Sequence, residues 1–373
     1  MIQNFTDVVI LAGGIGERLW PASSPENPKQ FIDLGDGISF LQASIQRALA
    51  LNIGGKILVI TRYNLVDKVS KECWNLAQKC NESERKKILE DLYIIAEPCP
   101  RHTCAPLLLA AKFLKLTDSS FTHIILTLAS DHIIGPKDRF INDCQKAAQA
   151  AGENSFVCFA IPPTEAATGY GYIKKGEVFK SNSSVFKIEM FKEKPDAKTA
   201  LLYLQSKQYY WNSGMFAFTA DFFEREVEKC QNDVYKSFEN LSLAGLTVTK
   251  SIDNIKVIDK WKEMKESYSK TPAIAVDNAI AEKTDKAVAV MTTFDWDDVG
   301  SWDSFEKHTK GSVNHVSLES ENNFVYSDIP VALCGVTDLV VVIKNGKALV
   351  MKKGKSSLMR ELVKKMSENN KPL

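Results

Sequence analysis

The stretch that decides the fold is Asp7-Val-Val-Ile-Leu-Ala-Gly-Gly-Ile-Gly-Glu-Arg-Leu-Trp-Pro21. Asp7 to Ala12 is a β-branched apolar run that reads as a buried strand, ended by Gly13 and Gly14. Working outward, Phe40 to Ala50 reads as a helix, Lys56 to Thr61 as a second strand and Val66 to Lys79 as a helix. Leu92 to Ala96 is a third strand, Ala105 to Leu116 a helix and His123 to Ala129 a fourth strand. Alternation at this spacing predicts βαβ crossovers, hence an α/β fold with a mostly parallel sheet and helices on both faces.

From Ser155 to about Val299 the pattern loosens. Phe156 to Ile161, Val185 to Phe191, Met215 to Ala220 and Ala287 to Met291 read as strands, and about Phe222 to Tyr268 as several helices. Asn323 to Met351 offers only short strands between turn signals at Asp328-Ile329-Pro330 and Asn345-Gly346, followed by a helix from Ser357 to Met366. The expected division is a large domain over 1–308 and a small β module with a terminal helix over 309–373.

Composition narrows the function. Among 373 residues, 47 basic side chains face 46 acidic ones, so the net charge of +1 gives no reason to expect nucleic acid or an anionic membrane as partner. The apolar runs fall well short of the roughly 20 residues of a membrane helix. No basic start with a cleavable apolar stretch opens the chain, so the cytoplasm is the expected compartment. The eight cysteines form no Cys-x-x-Cys pair. No His-Glu-x-x-His or Gly-x-Ser-x-Gly occurs either, leaving zinc and serine-nucleophile hydrolysis without support.

The glycine loop fits neither familiar phosphate loop. It has no Gly-Lys-Ser/Thr, and Leu19 stands where a dinucleotide fingerprint needs its third glycine. It does carry Arg18, with Lys29 beyond it in Pro21-Ala-Ser-Ser-Pro-Glu-Asn-Pro-Lys-Gln30. Two cations on a stiffened glycine turn suit a polyphosphate clamp. A tight βα turn with solvent-exposed cations is the competing reading.

Gly-Gly-Ile-Gly-Glu-Arg-Leu-Trp-Pro-Ala-Ser with Pro28-Lys29-Gln30 resembles the opening signature of the sugar-phosphate nucleotidyltransferases, most of all the mannose-1-phosphate guanylyltransferases. Further segments match in order: Glu97-Pro98 with Arg101, Ser130-Asp131-His132, Gly169-Tyr-Gly-Tyr172, Phe191-Lys-Glu-Lys-Pro195, Trp211-Asn-Ser-Gly214, Asp277-Asn-Ala279 and Trp296-Asp-Asp-Val-Gly-Ser-Trp302. The likeness covers about residues 5 to 355. It implies a Rossmann-like nucleotide-diphospho-sugar transferase fold with a small C-terminal left-handed β-helix-like module.

The chemistry implied is attack of a sugar-1-phosphate oxygen on the α-phosphorus of GTP, giving GDP-mannose and pyrophosphate. The alternatives are the same chemistry with another nucleoside triphosphate or hexose or heptose 1-phosphate, or a non-catalytic regulatory relative that binds nucleotide sugar. By resemblance, Leu11, Gly13, Gly14, Gly16, Arg18, Lys29, Arg101 and Asp131 bind nucleotide, with Arg18, Lys29 and Lys194 catalytic. Gly171, Glu193, Lys194, Asn212 and Asp277 bind the sugar phosphate. Asp131 and Asp298 hold Mg²⁺, with Asp297 the neighbour most easily confused with the second ligand. The implied partners are GTP and mannose 1-phosphate, and a homodimer is a possible assembly. Two segments depart from the family: Leu128-Ala-Ser-Asp-His stands where Pro-Ala-Asp-His is commoner, and His102 replaces a usual Asn. Many bacterial relatives also carry an isomerase domain, for which 373 residues leave no room, so no isomerase activity is expected.

Overall fold

Strand Asp7–Leu11 pairs in parallel with Ile57–Arg62 on one side and Ile124–Ala129 on the other, with Val9 opposite Leu58 and Thr127. Flanked on both edges, it buries both faces, which is why its sequence is a continuous apolar run rather than an alternation. The computed structural model describes residues 4–14, 16–180, 184–251, 254–309 and 315–368, so Ile15 of the glycine loop lies outside the described residues. The chain forms two compact units, each discontinuous in sequence. Met1–Gly13, Ser44–Ser130 and Ile134–Trp296 make one; Gly14–Ala43, Asp131–Ile133 and Asp297–Leu373 make the other.

The first unit holds an eleven-stranded sheet. From edge to edge it runs Leu246–Lys250, Lys256–Trp261, Leu92–Glu97, Ile57–Arg62, Asp7–Leu11, Ile124–Ala129, Tyr209–Thr219, Phe156–Ile161, Ala287–Met291, Val185–Lys192 and Tyr172–Val178. The four strands of the first third are parallel, as the βαβ spacing predicts. The sheet as a whole is mixed, which corrects the mostly parallel expectation. Tyr209–Thr219 runs antiparallel to both Ile124–Ala129 and Phe156–Ile161, and Tyr172–Val178 forms an antiparallel pair with Val185–Lys192.

A second correction concerns the segment read as helices from Phe222 to Tyr268. It contains the antiparallel strands Leu246–Lys250 and Lys256–Trp261, the latter pairing in parallel with Leu92–Glu97. Both strands are short and carry lysines, which hides their period and, in the outermost strand Leu246–Lys250, suits a sheet edge. Helix Glu82–Asp91, also unread, starts with a capping box in which Asn81 accepts from the Glu84 backbone and Glu84 reaches back.

In the second unit, His315–Leu318 pairs in parallel with Val331–Cys334, and Phe324–Ser327 with Leu339–Lys344. Both registers, and the Glu321–Thr337 bridge, advance by the same interval: His315 meets Val331 and Phe324 meets Val340. A constant interval is the signature of a solenoid turn, here closed by the antiparallel strand Lys347–Lys352 and helix Met359–Glu368. Its core joins Phe324, Val340, Val342, Leu349 and Met359 to Leu19, Trp20, Ile32 and Phe40. Among the described residues no helix is long and apolar enough to cross a membrane.

Candidate active site

Gly16, Arg18, Lys29, Asp131, His132, Asp298 and Gly300 line one cavity of about 220 Å³ in the second unit. Gly16 takes φ 70°, and a Cβ there would collide with the Lys29 side chain, so only glycine fits. The Lys29 side chain is 5% exposed, with Nζ 3.1 Å from Asp131 Oδ2. It also donates to the Asp298 carbonyl oxygen and lies 5.2 Å from the Phe40 ring centroid. Burial pushes the Asp131 carboxyl up, but the charges of Lys29, His132 and Arg18 outweigh it and hold it below the usual carboxylate range.

Arg18 Nη2 lies 3.6 Å from Asp298 Oδ2. A Cβ at Gly300 would sit 2.8 Å from both atoms, so glycine there lets the pair form. Asp297 faces elsewhere. It accepts from Ser304 Oγ at 2.6 and 2.7 Å, from the Val299 N–H at 2.7 Å, and meets His308 Nε2 at 2.8 Å. Against the rise that burial imposes, these contacts bring its carboxyl down to about 2. Val299, between the two arrangements, is fully buried at φ 43°, a strained backbone for a β-branched residue. Trp302 is core: it is fully buried, and its indole N–H donates to the Trp20 carbonyl.

The donor set can be tested against Mg²⁺. Among the described residues no three His, Cys, Asp or Glu side chains gather as a protein-only cage. Mg²⁺ instead takes one or two carboxylates and fills its sphere with phosphate oxygens and water. Asp131 and Asp298 on one cavity fit that requirement, for an ion that arrives with a triphosphate.

In the first unit, Gly13 faces Glu97: a Cβ on Gly13 would lie 3.4 Å from Glu97 Oε2. Tyr268 donates its hydroxyl to Glu97 Oε1 at 2.9 Å. Burial pushes the Glu97 carboxyl up to about 7, with the Tyr268 hydrogen bond opposing. Arg101 turns its Nε to the Tyr268 carbonyl at 2.9 Å. Leu11 packs against the main core, and its carbonyl accepts from Ser130. Gly14 has open space where a Cβ would stand. His102 is exposed at φ 56°, a left-handed backbone that Asn and His adopt several-fold more readily than most residues. His at this position therefore meets a backbone conformation that Asn would also tolerate.

The sugar-side residues assemble in the same unit. The Asn212 N–H donates to the Gly171 carbonyl, and its side-chain amide donates to Asp277 Oδ1, both at 2.8 Å. A Cβ on Gly171 would lie 2.6 Å from Glu193 Oε2, while Lys194 Nζ lies 2.6 Å from Glu193 Oε1. Burial, then the Glu193 charge, push the Asp277 carboxyl up to about 6. Asp277 opens a π-helical turn, Asp277–Ala281, a rare conformation that recurs frequently at functional sites. Lys194 is largely exposed and held at φ 43°.

The structure thus gathers Arg18, Lys29, Asp131 and Asp298 on one cavity, and Gly171, Glu193, Lys194, Asn212 and Asp277 in one cluster. Sequence reasoning gave Glu97 no role; its only signal was its place in the Glu97-Pro98 motif.

The nucleotidyl transferase family profile matches residues 7–313, and a mannoseP isomerase/GMP-like β-helix domain profile matches 313–366. The mannose-1-phosphate guanylyltransferase of Salmonella muenchen is 35% identical over 380 residues, 97% of this chain and 74% of that protein. That of Escherichia coli K12 is 32% identical over 389 residues, spanning 100% and 75%. A crystal structure described as mannose-1-phosphate geranyltransferase, from Thermus thermophilus, superposes with TM-score 0.77 at 27% identity, over 98% of this chain and 99% of that one. UDP-glucose pyrophosphorylase with UDP-glucose shares the fold alone, at TM-score 0.53 and 13% identity over 82% of this chain and 97% of that one. A family profile over most of the chain, and relatives above 30% identity along nearly all of it, make one conclusion plain: the chain is an enzyme of the nucleotidyl transferase family.

Proposed function

We propose that the chain transfers GMP from GTP to α-D-mannose 1-phosphate in the cytoplasm, releasing GDP-mannose and pyrophosphate. The observation that carries this reading is the cavity on which Arg18, Lys29, Asp131 and Asp298 converge. Two cations and two carboxylates suit a reaction that brings two anionic phosphates together. A phosphate oxygen of mannose 1-phosphate attacks the α-phosphorus; the bond to the α–β bridging oxygen breaks, and its electron pair leaves with pyrophosphate. Arg18 and Lys29 neutralise charge on the triphosphate, and Lys194 holds the sugar phosphate. Asp131 and Asp298 would hold Mg²⁺, which supplies charge neutralisation at the phosphates when bound.

Guanine selection follows from Glu97. The guanine edge presents the N1–H and N2–H₂ donors together, and an ionised carboxylate is acceptor-only. Asn212, fixed by Asp277, and Glu193 offer the donor and acceptors that sugar hydroxyls require. The expected partners are these two substrates rather than nucleic acid or membrane, with a homodimer as assembly. Four nucleoside triphosphates tested against several sugar 1-phosphates, with pyrophosphate release as signal, decide the matter. GTP with mannose 1-phosphate is expected to lead; preference for another pair reassigns the substrates.

A further inference from the structure

Each cation assigned to the phosphates already has a carboxylate assigned to the metal as its partner. Lys29 pairs with Asp131 at 3.1 Å, and Arg18 with Asp298 at 3.6 Å. The two contacts are unequal. The Arg18 side chain is 43% exposed and screened by solvent, so its pair is weak. Lys29 is buried, and its ammonium is fixed by Asp131, by the Asp298 carbonyl and over Phe40. A lysine ammonium has three N–H donors, and Lys29 directs two of them at Asp131 and the Asp298 carbonyl, so it closes fully on a phosphate only by giving up a partner. An Asp131 oxygen 3.1 Å from that ammonium does not offer its full charge to a divalent ion.

We propose that metal and nucleoside triphosphate bind by an exchange of partners: Lys29 leaves Asp131 for a phosphate as Asp131 turns to the metal. The proposal rests on the nucleotidyl-transfer reading above. A divalent ion entering alone meets the Lys29 charge beside its ligand. A triphosphate entering alone takes Lys29 and leaves Asp131 facing further negative charge. Opening the pair from the metal side leaves the buried Lys29 ammonium without its counter-charge, which is costly, while opening it from the phosphate side sets the part-exposed Asp131 carboxylate against uncompensated negative charge. When both ligands enter, each new contact replaces a lost one and neither charge is stranded. The outcome is a coupling between the two ligands over and above their affinity for each other in solution, and it is reciprocal. Asp131 and Lys29 come from segments distant in sequence, yet their opening is a single event.

The test uses the full chain and measures binding rather than turnover. Free Mn²⁺, a paramagnetic stand-in for Mg²⁺, is titrated without nucleotide by electron paramagnetic resonance into wild type and Lys29→Met. Methionine keeps an unbranched stem over Phe40 and removes the charge. The variant is expected to bind Mn²⁺ more tightly than wild type, by about 5- to 150-fold if the coupling is of ordinary size. In the reverse arm, GTP is titrated in chelator into wild type and Asp131→Asn; the variant is expected to bind metal-free GTP more tightly by a similar factor. Equal or weaker Mn²⁺ binding by a folded Lys29→Met overturns the exchange. So does an absent gain in Asp131→Asn, which decides alone if Lys29→Met does not fold. A GDP-mannose assay on wild type runs alongside. Product with unshifted affinities removes the exchange and keeps the function; shifted affinities without product do the reverse.

Discussion

The Asp297 carboxylate turns onto Ser304 and His308, while that of Asp298, its immediate neighbour, lines the cavity beside Arg18. The two should therefore fail differently when removed. Asp298→Ala is expected to lower kcat by at least about 100-fold, roughly 2.7 kcal/mol of transition-state stabilisation, with little change in Tm. Asp297→Ala leaves Ser304, His308 and the Val299 N–H without their acceptor, and should cost about 1–3 kcal/mol of stability. Thermal melts and steady-state rates on both variants check this. The reverse pattern would exchange the two assignments.

Removing Asp131 is a harsher change than the sequence suggests. A carboxylate proposed to hold a metal at a strand end looks separable from the fold, but Asp131 is also the counter-charge of the buried Lys29. Asp131→Ala should abolish turnover and also lower stability, by about 1–3 kcal/mol, because the buried Lys29 loses its counter-charge and keeps the Asp298 carbonyl. Denaturant titration measures the loss. In Asp131→Ala/Lys29→Met much of the stability should return while activity stays absent.

Glu97, on the proposed reading in which it accepts from guanine, makes GTP use dependent on pH. Its carboxyl is pushed up to about 7, so the ionised form that accepts from guanine prevails above that pH. KM for GTP should fall as pH rises from 6 to 8, and the inflection should vanish in Glu97→Gln. The stability sign is opposite. A carboxyl raised in the fold contributes fully below its ordinary value near 4.5, and that contribution is lost as pH rises through about 7. Glu97→Gln should therefore melt higher than wild type at pH 8, by up to about 3 kcal/mol in stability, while discriminating less against ATP. Melts at pH 5 and 8 with GTP and ATP kinetics provide the check.

Lys194 tests the sugar side. It is exposed, and among the described residues its ion pair is the local one with Glu193, so Lys194→Ala should fold normally. It should raise KM for mannose 1-phosphate by about 10- to 100-fold, in line with loss of one charge-assisted contact of about 1.5–3 kcal/mol, and leave KM for GTP within about twofold. Equal losses on both substrates would place Lys194 elsewhere in the reaction.

What was legible in the sequence follows from how local each signal is. Asp7 to Ala12 reads correctly because a central parallel strand must be apolar on both faces, and the glycine turn that ends it is equally local. Tyr172–Val178 did not read as a strand because Lys174, Lys175 and Glu177 blur its period; its pairing with Val185–Lys192 and Tyr209–Thr219 holds it. Leu246–Lys250 and Lys256–Trp261 were hidden for a similar reason. The Asn81 and Glu84 capping box, by contrast, was plainly legible and still unread. In the site, motif order pointed to the residue types that the structure gathers. It could not reveal that Lys29 is buried against Asp131, or that the Glu97 carboxyl sits near neutrality. Both depend on what surrounds a side chain in space.

The second unit is assembled from opposite ends of the chain, and that orders events in time. Leu19, Trp20, Ile32 and Phe40, which flank Arg18 and Lys29, pack against Phe324, Val340, Leu349 and Met359. Asn345 donates to the Pro21 carbonyl, and Tyr326 to that of Asp33. On a ribosome the glycine loop emerges about 300 residues before the side chains that fix its surroundings. Arg18 and Lys29 are thus synthesised well before the packing that sets them in place is complete.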